Sequence, residues 1–178
     1  MPSTLAPAVF LDRDGTLMED VDYCNDPARV KIYPAVSDAL RRLKSVGFRN
    51  VIITNQSGIG RGLITIGQFA AVQNRLIELI GPDSIDGTYY CPDLPGPNAH
   101  RRKPSAAMVV EAARDLKLNL PGSWFVGDKA SDVQCGRAAG VRPILVLTGH
   151  GTVTDGDGAV FIAKDFLSAT EYILEATQ

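Results

Sequence analysis

Short runs of apolar residues alternate along the chain with longer segments in which apolar residues recur every three or four positions. The runs at 8–11, 51–53 and 124–126 contain no polar residue and give way to charged, polar or glycine residues. Such runs are typical of strands buried on both faces of a sheet. The longer segments have the spacing of amphipathic helices. The pattern predicts further strands at 88–91, 144–147 and 160–162, and helices at 36–46, 65–80, 104–116, 133–139 and 166–176.

Helices that alternate with strands in this way indicate an α/β fold. Right-handed crossovers place such helices over both faces of a doubly wound, mostly parallel sheet. The chain has 178 residues, which is enough for one well-buried core and short for two. We therefore expect one domain that spans residues 1–178.

The overall charge and the cysteines narrow the class of protein. The chain carries 18 basic and 20 acidic residues, a net charge of -2, which gives no general attraction to nucleic acid or to an anionic membrane. The first seven residues, MPSTLAP, lack the basic start and apolar run of a signal peptide. Cys24, Cys91 and Cys135 are odd in number and widely spaced, which favours free thiols. We expect a cytoplasmic monomer that binds a small molecule, and neither nucleic acid nor a membrane.

Polar residues collect where the predicted strands end. Asp12 and Asp14 follow the first strand, Thr54 follows the second, and Lys103 and Asp128 closely trail later apolar runs. In a doubly wound sheet, ligands bind beyond the carboxyl ends of the strands. We therefore expect these five side chains to meet in one crevice.

Asp12 and Asp14 are two residues apart as the chain leaves a strand, and glycine at 15 allows a sharp reversal, so both carboxylates can face this crevice and a phosphate bound there. An ionised carboxylate and one phosphate charge repel each other by about 1 kcal/mol at ~4 Å in water, and by about 4 kcal/mol at an effective dielectric constant of ~20. Attack on phosphorus therefore needs positive charge nearby. Mg²⁺ held by Asp12, Asp128 and the main-chain carbonyl of Asp14 would supply it, and Lys103 would add a second positive charge.

The same residues can be given roles in phosphoryl transfer. Asp12 would attack phosphorus, and Asp14 would protonate the leaving oxygen and then take a proton from water. The Thr54 hydroxyl and neighbouring amide groups would hold the phosphoryl oxygens. Catalysis of this kind depends on positioning and on charge stabilisation.

Four motifs carry a resemblance to a known family: DRDGT at 12–16, TNQSGIGRG at 54–62, RKP at 102–104 and VGDKASD at 126–132. With these motifs the chain resembles the haloacid dehalogenase (HAD) superfamily of phosphatases. Within it, the chain is similar to the capless branch that contains the heptose bisphosphate and histidinol phosphate phosphatases. The resemblance implies a fold without a large cap domain, Mg²⁺ as cofactor, and hydrolysis of a small sugar phosphate, foremost D-glycero-D-manno-heptose 1,7-bisphosphate.

The resemblance also implies roles for individual residues. Asp12 would be the nucleophile, Asp14 the acid and base, and Asp128 a ligand of magnesium. The phosphoryl group would be held by Thr54, Asn55 and Lys103. An anionic sugar needs further hydrogen-bond donors away from the reacting phosphate. Those donors would be Gln56, Ser57, Arg61 and Arg102.

One part of the chain departs from the family pattern. Relatives in this branch often carry a zinc loop of the form Cys-x-His, a spacer and Cys-x-Cys, just before the RKP motif. Here Cys91 remains, Asp93 stands at the histidine position, and no cysteine pair precedes Arg102. A set of Cys91, Asp93 and His100 would lack the thiolates that closed zinc sites use. We expect no zinc in this loop, and its shortening leaves the exact substrate open.

Several alternatives stay open on the sequence alone. Histidinol phosphate is the nearest alternative substrate. A receiver-like signalling domain also uses an acidic cluster with a threonine and a lysine, but its phosphoryl group goes to an aspartate on a later strand. A binding-only relative is disfavoured because no catalytic position is missing. Asp128 could instead cap a helix, Asp132 could be a surface residue, Lys129 could neutralise the acidic cluster, and His150 is interpreted as structural.

Overall fold

The computed structural model describes residues 5–177. Residues 1–4 and 178, which belong to the predicted domain and include most of the MPSTLAP segment, lie outside the described part. The strands are β1 (Ala8–Leu11), β2 (Arg49–Asn55), β3 (Gly87–Cys91), β4 (Trp124–Gly127), β5 (Arg142–Val146) and β6 (Phe161–Ala163). The helices are α1 (Val36–Ser45), α2 (Ser57–Gly60), α3 (Ile66–Ile80), α4 (Ala107–Leu116), α5 (Ala130–Ala138) and α6 (Phe166–Glu175). Short 3-10 turns lie at Pro27–Arg29, Leu120–Gly122 and Val153–Gly156.

The strands form one sheet in the order β3-β2-β1-β4-β5-β6, and each neighbouring pair is parallel. Strand β1 therefore lies in the interior, with Leu11 level with Ile52 on one side and with Val126 on the other. The order reverses between β1 and β4, which makes this the switch point of the sheet, where ligands bind in such folds. The predicted doubly wound sheet is confirmed.

Alternate residues of the buried strands supply two cores, one on each face of the sheet. Val9 and Leu11 pack into the cluster covered by α1, α3 and α6. Ala8 and Phe10 pack into the cluster covered by α4 and α5. Helices on both faces are thus confirmed, and they explain why β1 is apolar at every position.

Local chemistry explains where helices begin. The predicted capping box is present at α3, where the Thr65 hydroxyl accepts from Gln68 N (3.1 Å) and the Gln68 side chain accepts from Thr65 N (2.9 Å). Two predicted starts were wrong by three residues. Helix α4 begins at Ala107 rather than at 104, after a turn in which Ser105 Oγ accepts from Ala107 N (3.2 Å). Helix α5 begins at Ala130 rather than at 133.

Within residues 5–177, no helix combines the length and the apolar character needed to cross a bilayer. The three cysteines are free and buried.

A partly buried carboxylate, Asp86, holds the start of the edge strand β3 against α1 and β2. Asp86 accepts hydrogen bonds from Asn50 N (2.9 Å), Lys44 Nζ (3.0 Å) and Arg49 Nη1 (2.8 Å), and its side chain is only 11% exposed. Burial alone would raise the pKa of Asp86, but the Asn50 amide and the two cations outweigh it and hold the pKa below its usual value. The ionised form of Asp86 therefore stabilises the folded state.

We expect Asp86→Asn to lower the free energy of unfolding by about 2 kcal/mol at pH 7, because hydrogen bonds to a charged group contribute this much. Because the pKa of Asp86 is lower in the folded state than in the unfolded state, ionised Asp86 stabilises the fold in full above the unfolded-state pKa of about 3.9. This stabilisation disappears as the pH falls through the folded-state pKa. Urea denaturation at pH 7 and at pH 3 measures the difference from wild type. The exposed Asp83→Asn is the matched control. A difference for Asp86→Asn that is equally large at pH 3 would contradict the assignment.

Candidate active site

The candidate site opens beyond the carboxyl ends of β1, β2 and β4. Asp12 is the first residue after β1, and its main-chain N–H donates to Val126 O (2.9 Å). This bond continues the β1–β4 pairing by one residue and brings Asp12 to the switch point. The end of β1 therefore lies directly beside the end of β4.

Three carboxylates form the floor of the site. Asp12, Asp128 and Asp132 each offer an oxygen within 4.8 Å of the others, and all three side chains are buried. Carboxylates this close repel one another strongly when water is excluded. The cluster needs positive charge to remain ionised.

Lys103 supplies part of that charge from a buried position. Its ammonium donates to Asp12 Oδ1 (2.6 Å) and to Ile53 O (2.9 Å), and lies 2.7 Å from Asp132 Oδ1. Burial opposes the charged forms, but the mutual attraction is larger. The pKa of Lys103 is raised by Asp12 and Asp132, and the pKa of Asp12 is lowered by Lys103. Lys103 and Asp12 are therefore held as an ion pair.

Asp128 is less well compensated than Asp12. Its Oδ2 accepts from the main-chain N of His150 (2.9 Å), and within residues 5–177 no group donates to its buried Oδ1. Burial, followed by the charge of Asp12, raises the pKa of Asp128 to about 8. Asp128 thus has one buried oxygen, Oδ1, that is available as a ligand to a cation. Gly15 makes its position possible, because a Cβ there would lie 2.3 Å from Asp128 Oδ2 and the φ of +85° also favours glycine.

Asp132 is buried, so the surface alternative for this residue is wrong. Besides its contact with Lys103, its Oδ2 accepts from the main-chain N of Lys129 (3.0 Å). This bond closes the first turn of α5, whose N-cap residue is Lys129 and not Asp128. Burial raises the pKa of Asp132 to about 6, against the opposing effect of Lys103.

Asp14 is held apart from the three buried carboxylates. The Arg13 guanidinium donates to both of its oxygens, from Nε to Oδ2 and from Nη2 to Oδ1, at 3.0 Å each. Gln56 Nε2 donates to Asp14 Oδ2 (2.8 Å) and to Thr54 Oγ1 (2.9 Å). The Asp14 side chain remains 16% exposed and lines the pocket.

The pocket above this floor has a volume of about 300 Å³. Eight of the predicted site residues line it: Asp12, Asp14, Thr54, Asn55, Gln56, Ser57, Arg102 and Lys103. Asp128 is not among the lining residues, although one of its oxygens lies within 4.8 Å of those of Asp12 and Asp132. Arg61 is exposed at the end of α2, outside the pocket lining, so it approaches a bound molecule only beyond the pocket itself.

Other lining residues were not among the predicted set. Asp20 Oδ2 lies 3.2 Å from Lys129 Nζ and 3.0 Å from His150 Nε2, and all three line the pocket. The pKa of Lys129 is lowered by burial and raised more strongly by Asp128, Asp12 and Asp20, so the ammonium form is favoured. The GDK segment placed Lys129 near the site in the sequence, but nothing local pointed to Asp20. His150 is structural in that its main chain holds Asp128, and its ring also reaches the pocket.

The shortened loop between β3 and α4 is fastened by arginines. Arg101 Nη1 donates to Tyr90 O and Arg102 Nη1 donates to Asp93 O, both at 3.2 Å. The Cys91 thiol lies 3.5 Å from Asp93 Oδ2. Arg102 therefore holds the loop through one hydrogen bond and also lines the pocket. The expectation that this loop holds no zinc stays a prediction.

Comparisons with known proteins agree with the geometry. The family model described as "HAD-hyrolase-like" matches residues 100–169. The chain is 38% identical to the D-glycero-D-manno-heptose-1,7-bisphosphate 7-phosphatase of Thermosynechococcus vestitus, over 94% of this chain and 95% of that protein. It is also 38% identical to the D-glycero-beta-D-manno-heptose-1,7-bisphosphate 7-phosphatase of Haemophilus influenzae, over 94% of this chain and 96% of that protein.

A solved structure shares the fold over nearly the whole chain. It is the D,D-heptose 1,7-bisphosphate phosphatase of B. bronchiseptica, complexed with magnesium and phosphate. The TM-score is 0.87 at 30% identity, over 96% of this chain and 99% of that one. The resemblance inferred from the motifs is confirmed. The chain belongs to the HAD-like hydrolase family and, within it, to the phosphatases that these relatives represent.

Proposed function

We propose that this protein is a magnesium-dependent phosphomonoesterase that forms a transient aspartyl phosphate, an acyl phosphate, at Asp12. The observation that carries the proposal is the meeting of Asp12, Asp128 and Lys103 at the switch point of the sheet, under a pocket that Asp14 and Thr54 line. A buried nucleophile, a cation site and a separate acid or base are the groups that phosphoryl transfer through a carboxylate requires.

The residues on the floor of the site fit a magnesium ion. Asp12 and Asp128 offer carboxylate oxygens in close proximity, and the buried Oδ1 of Asp128 receives no hydrogen bond from residues 5–177. An all-oxygen set suits Mg²⁺, which usually keeps some water as well. Asp12, Asp128 and the main-chain carbonyl of Asp14 would hold it. When bound, the ion supplies positive charge that offsets the repulsion between the carboxylates and the phosphate.

Asp12 is the proposed nucleophile. One of its oxygens attacks phosphorus as the bond from phosphorus to the leaving oxygen breaks, which leaves the phosphoryl group on Asp12. Lys103 keeps Asp12 ionised, because its ammonium donates to Asp12 Oδ1 at 2.6 Å and its own pKa is raised by Asp12 and Asp132. Water then attacks phosphorus, and the bond from phosphorus to Asp12 breaks to release inorganic phosphate and restore the carboxylate.

Asp14 is the proposed acid and base. It gives a proton to the leaving oxygen in the first step and takes one from the attacking water in the second. Of the four residues Asp12, Asp14, Asp128 and Asp132, Asp14 has the exposed side chain, at 16%, and it lines the pocket, whereas the other three are at most 5% exposed. That difference in access separates the two roles of Asp12 and Asp14.

Three residues are proposed to hold the phosphoryl group. The Thr54 hydroxyl and the Lys103 ammonium face the pocket beside Asp12. Asn55 contributes by fixing Lys103, since its side chain accepts from Lys103 N (3.0 Å) and donates to Lys103 O (3.2 Å). Donors for the rest of the substrate are proposed at the rim: Ser57, Arg61 and Arg102. Gln56, which was predicted with them, is 6% exposed and donates to Asp14 and Thr54 instead.

We infer that the substrate is D-glycero-D-manno-heptose 1,7-bisphosphate and that the phosphate at position 7 is removed. The relatives that cover almost the whole chain carry this activity in their names. A pocket of about 300 Å³, over which residues 5–177 build no large cap domain, suits a sugar bisphosphate that is only partly enclosed. The cationic groups of Arg102 and Lys129 at the rim can meet a second phosphate.

Phosphate release from a panel of small phosphomonoesters tests this assignment. With Mg²⁺ present, kcat/KM for the heptose bisphosphate should exceed that for histidinol phosphate by tenfold or more, because a site built to bind polar groups rejects analogues that leave them unpaired. NMR of the product should show the phosphate at position 1 retained. A preference for histidinol phosphate would overturn the substrate, and release from no member of the panel would overturn the function.

A further inference from the structure

Arg13 and Gln56 hold the Asp14 carboxylate from two sides. Arg13 is 1% exposed and uses two nitrogens of its guanidinium on the two Asp14 oxygens. The guanidinium carbon also lies over the Phe69 ring, 5.3 Å from its centroid, which adds a cation–π contact to these hydrogen bonds. A planar fork bound in this way restricts both the rotation and the tilt of the carboxylate.

Gln56 connects Asp14 to the phosphate-binding threonine. Its side-chain amide has two hydrogens, and these go to Asp14 Oδ2 (2.8 Å) and to Thr54 Oγ1 (2.9 Å). A hydroxyl that accepts from Gln56 keeps its own hydrogen free to donate elsewhere. Thr54 is 1% exposed and lines the pocket, so the remaining direction for that hydrogen is toward a bound phosphoryl group.

We propose that Arg13 and Gln56 are positioning residues, which set the Asp14 carboxylate and the Thr54 hydroxyl in one fixed arrangement. The inference rests on the proposed function. Arg13 is thereby assigned the role of orienting the Asp14 carboxylate. Gln56 is assigned hydrogen bonds within the protein instead of contact with the sugar. Gln56 is 6% exposed and both of its amide hydrogens are engaged, which leaves its amide nitrogen no donor for the substrate.

Gln56→Leu tests the inference without changing charge. It removes both hydrogen bonds, so kcat should fall by about 10- to 100-fold, the usual cost of losing a partner that orients a reacting group. KM should stay within about threefold of wild type, because the lost interaction acts on the chemical step. Gln134→Leu, an exposed position on α5, is the matched control and should keep both constants. Melting temperatures of both variants report any loss of fold.

Arg13→Lys tests whether the planar guanidinium, with its two hydrogen bonds to Asp14, is needed in addition to the positive charge. Lysine keeps the positive charge but cannot donate to both Asp14 oxygens in one plane. We expect kcat to fall at least tenfold, while the exposed Arg75→Lys on α3 keeps it. An Arg13→Lys variant with wild-type kcat would overturn the role of the fork.

The outcomes separate this inference from the function it rests on. A Gln56→Leu variant that keeps kcat and raises KM would show that Gln56 binds substrate, and would overturn the positioning role while leaving the phosphatase assignment intact. A wild-type protein that releases no phosphate from any tested ester would overturn both. Loss of kcat at constant KM in Gln56→Leu, with an unchanged melting temperature, is the expected result.

Discussion

Asp12→Asn should reduce phosphate release by about 10⁴-fold or more and leave the fold intact. The amide has the shape of the carboxylate but is a very poor nucleophile, so the covalent step is lost. The fold should tolerate the change, because Lys103 still has Asp132 as an ionic partner at 2.7 Å. The repulsion between the carboxylates of residues 12 and 128 is also removed. Steady-state phosphate release and a thermal unfolding curve measure the two effects.

A second readout distinguishes the nucleophile from a residue that only binds metal. Borohydride reduces an aspartyl phosphate to homoserine, so wild-type protein quenched during turnover should carry this change at residue 12, as seen by mass spectrometry. Asp83→Asn, which is exposed and remote from the pocket, should turn over substrate like wild type and show the same modification. Near-normal turnover by Asp12→Asn would refute the covalent mechanism.

The part of the site that local sequence predicts is the part built from single strand ends. Asp12 and Asp14 follow an apolar strand, and Thr54 is the penultimate residue of the next one. Parallel pairing of β1 with β2 then places these residues side by side whatever the rest of the chain does. The sequence therefore predicts the correct edge of the sheet for these three residues.

The missed parts depend on contacts between distant segments. Lys129 and Asp20 are 109 positions apart, and neither the loop after β1 nor the start of α5 has a pattern that pairs them. Asp132 was open to a surface interpretation because α5 was predicted to begin three residues late. Its bond to Lys129 N starts the helix earlier and turns Asp132 inward to Lys103. Lysine is not a usual N-cap residue, so the helix start carried no recognisable capping signature.

Asp128→Asn should separate stability from activity. In the absence of metal, Asp128 is a buried carboxylate beside Asp12 with one oxygen that receives no hydrogen bond from residues 5–177. An amide of the same shape can still accept from His150 N, so the metal-free variant should melt at the wild-type temperature or above it. Phosphate release should fall by about 10³-fold, because a donor to the cation site is lost.

Magnesium titrations of the unfolding transition give the deciding measurement. A ligand at 100 times its Kd stabilises a folded protein by about 2.7 kcal/mol, so wild type should melt higher in Mg²⁺ than in EDTA. The rise should be absent or much smaller in Asp128→Asn, and Asp83→Asn should keep it in full. If Asp128→Asn showed the same rise in melting temperature with Mg²⁺ as wild type, Asp128 would not be a magnesium ligand. The positive charge that keeps the buried carboxylates ionised would then have to come from Lys103 and Lys129 alone. That outcome is disfavoured by distance, since Lys103 lies against Asp12 and Asp132, while Lys129 pairs with Asp20 at the rim.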